Sequence, residues 1–390
     1  MGDFLSTKSI NKYLLFYVFI NLLFVFKYSH RISLNIAVTT TILYTILIIL
    51  FFNFLVWNQN KINRFKNFNI FFIVISLLAI AFYIFLNIYV DGKSLNVDRW
   101  SAMSVGIKNL LNGNYPYTAI DHLGGRTSNF PGLFFLGLPF YLLGNVGFLQ
   151  VFVFVLLSWY VYKFIPTNFQ RILIISLFIL SPAYLWEIYA KSDLMSNLIL
   201  LFIFIDYWSK KHRDNLFNQP LIAGIIIGVL TMTRGVVVLV LLIYFFKAFF
   251  IKITKQKMLF LFTIIATILL LILPIYITMP AWDIVKEKNP LALQTSLLPS
   301  YLYLIFILSA ILLSYIINKK RIIWWAFLII FIPVLTSFVL FIYEFGFERS
   351  LLQSRFDISY FNMSLTFIIF WLATYISTNA TTPNIHKKLA

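Results

Sequence analysis

The residues best placed to do chemistry lie in one string. It runs Asp98-Arg99-Trp100-Ser101-Ala102-Met103 and then Leu111-Asn112-Gly113-Asn114-Tyr115-Pro116-Tyr117, with Asn129-Phe130-Pro131 following. A carboxylate held beside an acceptor hydroxyl can take its proton, which makes Asp98 the candidate general base, with Asp91 as the lesser candidate. Glu187 and Asp193 are further acids that could assist an acceptor or a metal. Their oxygen ligands would suit Mg²⁺ or Mn²⁺, and the sequence leaves that choice and the need for any metal open. A departing phosphate needs cations or preorganised donors, and Arg234, Lys191 and Arg126 stand at suitable tips, with Arg349 and Arg355 beyond them. Trp100, Tyr115 and Tyr117 could stack on a sugar ring, and Asn129 could bind sugar or acceptor. Each residue also has a plainer role. Asp98 could cap a helix, the cations could snorkel or form ion pairs, and the aromatics could anchor at a membrane interface.

Other chemistries are missing. Asp91-Gly92-Lys93-Ser94 ends like a phosphate-binding loop, but position 87, where that motif needs glycine, is Asn. Neither G-x-S-x-G nor G-x-G-x-x-G occurs. The four histidines are scattered, and His122, the one in the long polar loop, reads as a solvated loop residue. There is no cysteine, which excludes disulfides, thiolate metal sites and S-palmitoylation.

The elements that must position these residues are apolar. Of 390 residues, 61% are hydrophobic and only 11% charged, against about 25% charged in soluble domains. A spanning helix uses roughly 20 apolar residues. The runs predict spans at 13–26, 34–57, 69–90, 147–164, 171–187, 194–208, 219–232, 235–250, 258–279, 300–317, 322–343 and 359–376. Residues 130–144 are apolar but short and interrupted by Pro131, Gly132, Gly137 and Pro139, so they predict a re-entrant or interfacial helix. Residues 91–129 form a polar loop in which Asp98–Leu111 has helical spacing, with Trp100, Met103, Ile107, Leu110 and Leu111 on one face. The stretch 219–250 breaks near Thr233-Arg234-Gly235, with Arg234 at the shared tip. The reading is an all-α, polytopic integral membrane protein, one transmembrane domain over 1–390, with about twelve spans.

A net charge of +18 would suggest nucleic acid for a soluble protein. Here it reads as topology, with membrane lipids as surroundings and no nucleic-acid partner. With the N-terminus inside, 19 of the 31 basic residues fall on the cytoplasmic side, among them Lys8, Lys252, Lys387 and Lys388. Lys27, His30 and Arg31 are an awkward basic cluster left outside. Ten of the 13 acids also fall outside, although acids do little to set topology. Avoidance of the basic face is one explanation; chemistry on the outer face is the other.

An aspartate just outside a membrane helix, heading an amphipathic helix and followed by G-x-Y-P-Y, resembles the first extracytoplasmic loop of GT-C-fold glycosyltransferases. These use polyprenyl-phosphate-linked sugars, and several mannosyltransferase-like members show a similar pattern in this loop. The resemblance is firmest over 85–145 and looser over 146–250, where Ser181-Pro182, Glu187 and Lys191-Ser192-Asp193 are similar to the family's second outer turn. It implies a GT-C-like fold, inverting transfer, and an acidic residue at Asp98 acting as base or carrying metal and acceptor. The chain departs from the pattern in placing this loop after the third helix rather than the first, and its downstream half carries no matching signature.

The expectation is a hexosyltransferase, with mannose one candidate sugar, working on the outer face of the inner or plasma membrane. Its partners would be a lipid-linked sugar donor and a glycan, lipid or protein acceptor. The rivals are a transporter or flippase of lipid-linked saccharides, and a saccharide polymerase or ligase. Most charges sit at helix ends and no repeat is visible, which disfavours the first rival. The early position of the long loop disfavours the second.

Overall fold

The computed structural model describes residues 2–251 and 254–380, with side chains described between Lys12 and Ile376. Lys252, Lys387 and Lys388, which the charge count places on the cytoplasmic side, and the C-terminus itself lie outside these described parts, as does the side chain of Lys8. Fifteen helices of eight residues or more are described. They are α1 (Gly2–His30), α2 (Leu34–Trp57), α3 (Phe68–Tyr89), α4 (Arg99–Leu111), α5 (Pro131–Leu142), α6 (Phe148–Phe164), α7 (Asn168–Ile179) and α8 (Pro182–Tyr189). They continue with α9 (Leu194–Lys211), α10 (Pro220–Thr231), α11 (Val236–Phe250), α12 (Lys255–Ile277), α13 (Ser300–Ile316), α14 (Ile322–Phe345) and α15 (Asn362–Ala380). No named strand occurs among the described residues.

Six of the described helical stretches are long and apolar enough to cross a membrane: those of α1, α2, α3, α12, α14 and α15. A seventh span arises if α7 and α8 are counted together. The sequence predicts one span over 171–187, but α7 and α8 meet at a 58° bend. Pro182 brings no N–H to continue α7, and it fits the first turn of a new helix. The Ser181 hydroxyl completes that turn by accepting from the Tyr184 amide at 3.1 Å.

Many large apolar residues face outward. In α2, 89% of the crossing window is not buried, whereas 83% of the α15 window is buried. Yet α15 is the more polar of the two, with Asn362, Ser364 and Thr366 fully buried. Water would drive the opposite arrangement; a hydrocarbon solvent permits this one.

The chain divides into two compact units. The first comprises Met1–Ala81, Val155–Trp186 and Val334–Ala390; the second comprises Phe82–Phe154 and Glu187–Pro333. In the first, α1 packs on α2 and α15, and α15 packs on α7. Polar ties cross these apolar contacts: Tyr17 Oη donates to the Leu177 carbonyl at 2.7 Å, and Gln170 Nε2 donates to that of Ala373 at 3.2 Å.

In the second unit, α10 and α12 approach closely. Gly224 and Gly228 lie one turn apart, and a Cβ at either would stand 2.7 Å from Thr263 or Thr267, so only glycine allows this spacing. Helix α5 has 12 residues, about 18 Å of helix, which is too short for a bilayer of about 30 Å. It packs on α4, α10 and α12, which cover its backbone. The buried face of α4 is Ala102, Met103, Gly106 and Ile107, set against Phe134 and Gly137 of α5. Leu111, expected on that face, is exposed. The helix therefore buries Met103 and Ile107 of the expected face together with the small residues beside them.

Candidate active site at the break between α10 and α11

The turn from α8 to α9 is built by carboxylates doing different jobs. Glu187, at the end of α8, is fully buried, and its Oε1 accepts the Met195 amide at 2.6 Å. That satisfies an open donor in the first turn of α9. Asp193, the residue before α9, has helical φ/ψ and makes no capping bond with its side chain. It is free to reach elsewhere. Glu187, a candidate acid in the sequence, is thus engaged with backbone.

Asp193 meets Arg234, in the break between α10 and α11. Arg234 Nε donates to Oδ2 at 3.0 Å, and Nη2 donates to Oδ1 at 2.8 Å and to Oδ2 at 2.7 Å. Arg234 is 5% exposed and Asp193 1% exposed, so this is a buried ion pair. Asn197 Nδ2 adds a bond to Asp193 Oδ2 at 2.9 Å. The same Arg234 Nη2 donates to Asn129 Oδ1 at 3.1 Å, which turns the Asn129 amide and leaves its buried Nδ2 without a hydrogen-bond partner. Gln294 closes the cluster. It donates to the Ser128 carbonyl at 2.7 Å and accepts from the Gly235 amide at 3.2 Å. Arg234 therefore reaches its place between helices as a charge already neutralised by Asp193.

Lys191 is the cation left without such a partner. Its backbone is left-handed, φ 51°, a conformation that costs a non-glycine residue energy and that tends to persist at functional sites. The residue is 5% exposed, and its ammonium lies 5.8 Å from the centre of the Trp100 ring with no hydrogen bond or ion pair to any described residue. Burial lowers its pKa from the usual lysine value, and the nearby Asp91 charge opposes that shift. Asp91 Oδ1 itself accepts the Lys93 amide at 3.0 Å. Trp100 is held by Gly92, where a Cβ would stand 2.8 Å from the ring.

Asp98 stands two residues before Trp100, at the start of α4. Its φ/ψ of −85°/−11° are helical, and its carboxylate makes no capping bond. Among the described residues it has neither a hydrogen bond nor an ion pair to its side chain. The capping role available to it in sequence is thus unused. Its backbone is fixed instead: the Asp98 carbonyl accepts from the Ala102 amide at 2.8 Å and from Ser101 Oγ at 3.1 Å. Ser101 Oγ also lies 2.5 Å from His122 Nδ1, and His122 Nε2 donates to the Leu95 carbonyl at 2.8 Å. His122 is half-buried rather than solvated. Asp121 sets its position, accepting the Leu123 and Gly125 amides at 2.8 and 3.0 Å in a tight turn.

Other candidates lie apart from this chemistry. Tyr115 and Tyr117 are buried and pack edge to face at 5.3 Å, with Tyr117 also against Phe134, so neither offers an open ring face. Burial pushes both phenols above the usual tyrosine value. Arg126 is in an exposed ion pair with Glu287 at 3.1 Å. Among the described residues no three acids or histidines converge as a metal-binding group. Sequence reasoning missed Ser101, Asn197 and Gln294, and it underrated His122. A lone histidine in a long polar loop was the only available signal.

Against known proteins, no family model, no curated protein and no solved structure matches this chain.

Proposed function

We propose that this chain is a multi-pass membrane glycosyltransferase of GT-C-like design, with about twelve spans and the short α5 as a re-entrant helix. It moves a hexose, mannose being one candidate, from a polyprenyl-phosphate carrier to an acceptor on the extracytoplasmic face of the inner or plasma membrane. The observation that carries the reading is an unpartnered carboxylate, Asp98, two residues from Trp100, whose ring faces the unbonded ammonium of Lys191. Asp98 takes the proton from the acceptor hydroxyl as that oxygen bonds to the anomeric carbon. The bond from that carbon to the phosphate oxygen breaks on the opposite side, and the leaving phosphate keeps the electron pair. Lys191 meets the charge that develops there. Arg234 holds Asn129 in place and leaves the phosphate to Lys191.

The test is transfer from a radiolabelled polyprenyl-phosphate sugar by purified protein. Asp98→Asn should lose transfer by roughly 10²–10⁴-fold. Because that carboxylate caps nothing, its thermal unfolding should stay within about 0.5 kcal/mol of wild type. Full activity in the variant removes Asp98 as base. A cysteine introduced at Asn114 should label only from the outer side, and labelling only from the cytoplasmic side overturns the orientation. The transporter reading draws on the buried charges of Asp193 and Arg234 at a helix break. It predicts movement of an intact lipid-linked saccharide across vesicles with no transfer.

A further inference from the structure

The first unit contains an apolar groove of about 220 Å³ lined by Phe19, Leu22, Leu23 and Phe26 of α1, Thr41 of α2, and Phe347 and Leu351. The wall has one polar spot, because Thr41 Oγ1 is buried with no hydrogen-bond partner. Three basic residues adjoin its lining in the chain. Lys27 and Arg31 follow Phe26 on and just after α1, and Arg349 stands between Phe347 and Leu351. None of the three has an acid within 4 Å among the described residues. Lys27 is 4% exposed, and its ammonium makes no hydrogen bond to a described residue. Arg31 rests on the Tyr28 ring at 4.6 Å. The backbone here is also unusual. Residues Glu348–Leu352 form a π-helix, and Ser354 has φ 62°, two irregularities that concentrate at functional sites.

The acids near these residues are engaged or turned to solvent. Asp357 Oδ1 accepts the Ser359 amide at 2.9 Å, with Lys27 as a charged neighbour. Glu348 Oε1 accepts from Gln353 Nε2 at 3.4 Å, and Glu344 is exposed. An apolar trough, one hydroxyl in its wall and three basic residues adjoining its lining match an amphiphile with a hydrocarbon tail and an anionic head.

We infer that this groove seats an acyl chain of a glycerophospholipid from the surrounding bilayer, its phosphate held by Arg31, Lys27 and Arg349. The lipid is a resident one. Its ester region lies toward Thr41, whose hydroxyl then has an acceptor. This assignment does not depend on the transfer chemistry.

Native mass spectrometry of the full-length protein in detergent tests it, with phosphatidylglycerol as the probe and diacylglycerol as the phosphate-free control. Phosphatidylglycerol should be retained in preference to diacylglycerol. Retention should fall about tenfold in Arg31→Gln/Arg349→Gln, two exposed positions. Leu22→Trp, which fills the trough, should remove the lipid while Arg349→Lys keeps most of it. Equal retention of diacylglycerol, or retention unchanged in the double variant, overturns the proposal. Displacement by an equal concentration of polyprenyl phosphate also overturns it, because the groove would then belong to the carrier.

Discussion

Helix α7 breaks before α8 and α10 breaks before α11, yet opposite chemistry closes the two breaks. At the first, Asn21 of α1 is fully buried, and its Oδ1 accepts from Ser181 Oγ at 2.6 Å and from the Ala183 amide at 3.1 Å. Its Nδ2 donates to the Tyr17 carbonyl at 2.8 Å. Every group is neutral and the amide is used at both ends. At the second, Arg234 is tied to Asp193, and the surrounding cluster is left with unused groups: Asn129 Nδ2 and Asn197 Oδ1. A neutral amide is enough to hold a bent helix. A buried ion pair gains little stability over an apolar replacement because both charges must leave water. The chain therefore uses the cheaper device at the first break, and the costly one two residues from Lys191, whose ammonium has no hydrogen bond or ion pair to a described residue. That contrast separates a neutral break from a charged one.

Three experiments would break or sharpen it, taken in order of expected effect. Arg234→Leu should destabilise the protein by about 3–5 kcal/mol, because Asp193 is then buried without its partner. Thermal unfolding in detergent would read this, and Asp193→Leu combined with Arg234→Leu should recover much of the loss. A silent single variant would mean that the pair does not brace the break. Asn21→Ala should cost about 1–3 kcal/mol by stranding the Ser181 and Ala183 donors. Transfer per folded molecule should be unchanged; a loss there would place the first break in the site too.

The smallest effect is a pH dependence. Burial lowers the Lys191 pKa, so the folded protein holds its ammonium less firmly than free lysine does. The ammonium is present at low pH and lost as pH rises. Transfer that relies on it should therefore decline with rising pH, with a midpoint below the unperturbed 10.5. Lys191→Arg should remove the inflection, since a guanidinium stays charged throughout. A wild-type profile unaltered by that substitution would take Lys191 out of the phosphate role.

Much of the scaffold is legible in the amino-acid sequence. The helical start at Asp98, the short apolar helix after Phe130 and the interruption at Arg234 each follow from local signals: apolar spacing, proline and glycine. Helix backbone bonds close within a few residues, so apolar runs and their breakers carry the necessary information. The 58° bend is not legible there, because Ser181-Pro182 reads as helix interior until Asn21, 160 residues away, is brought to it.

For the site, the sequence by itself determined which residue types were available and that they gather in a few polar segments of an otherwise apolar chain. Only the tertiary structure decided what each one does. Arg234 reads as a free cation until Asp193, 41 residues earlier, and Asn129, 105 residues earlier, are placed against it. Tyr115 and Tyr117 read as sugar platforms until they pack on each other and Tyr117 meets Phe134 of α5. Asp98 and Lys191 are distinguished by the bonds they lack. Whether a charge is neutralised depends on its nearest neighbours in space, and Coulomb attraction and desolvation act over a few ångströms whatever the distance along the chain.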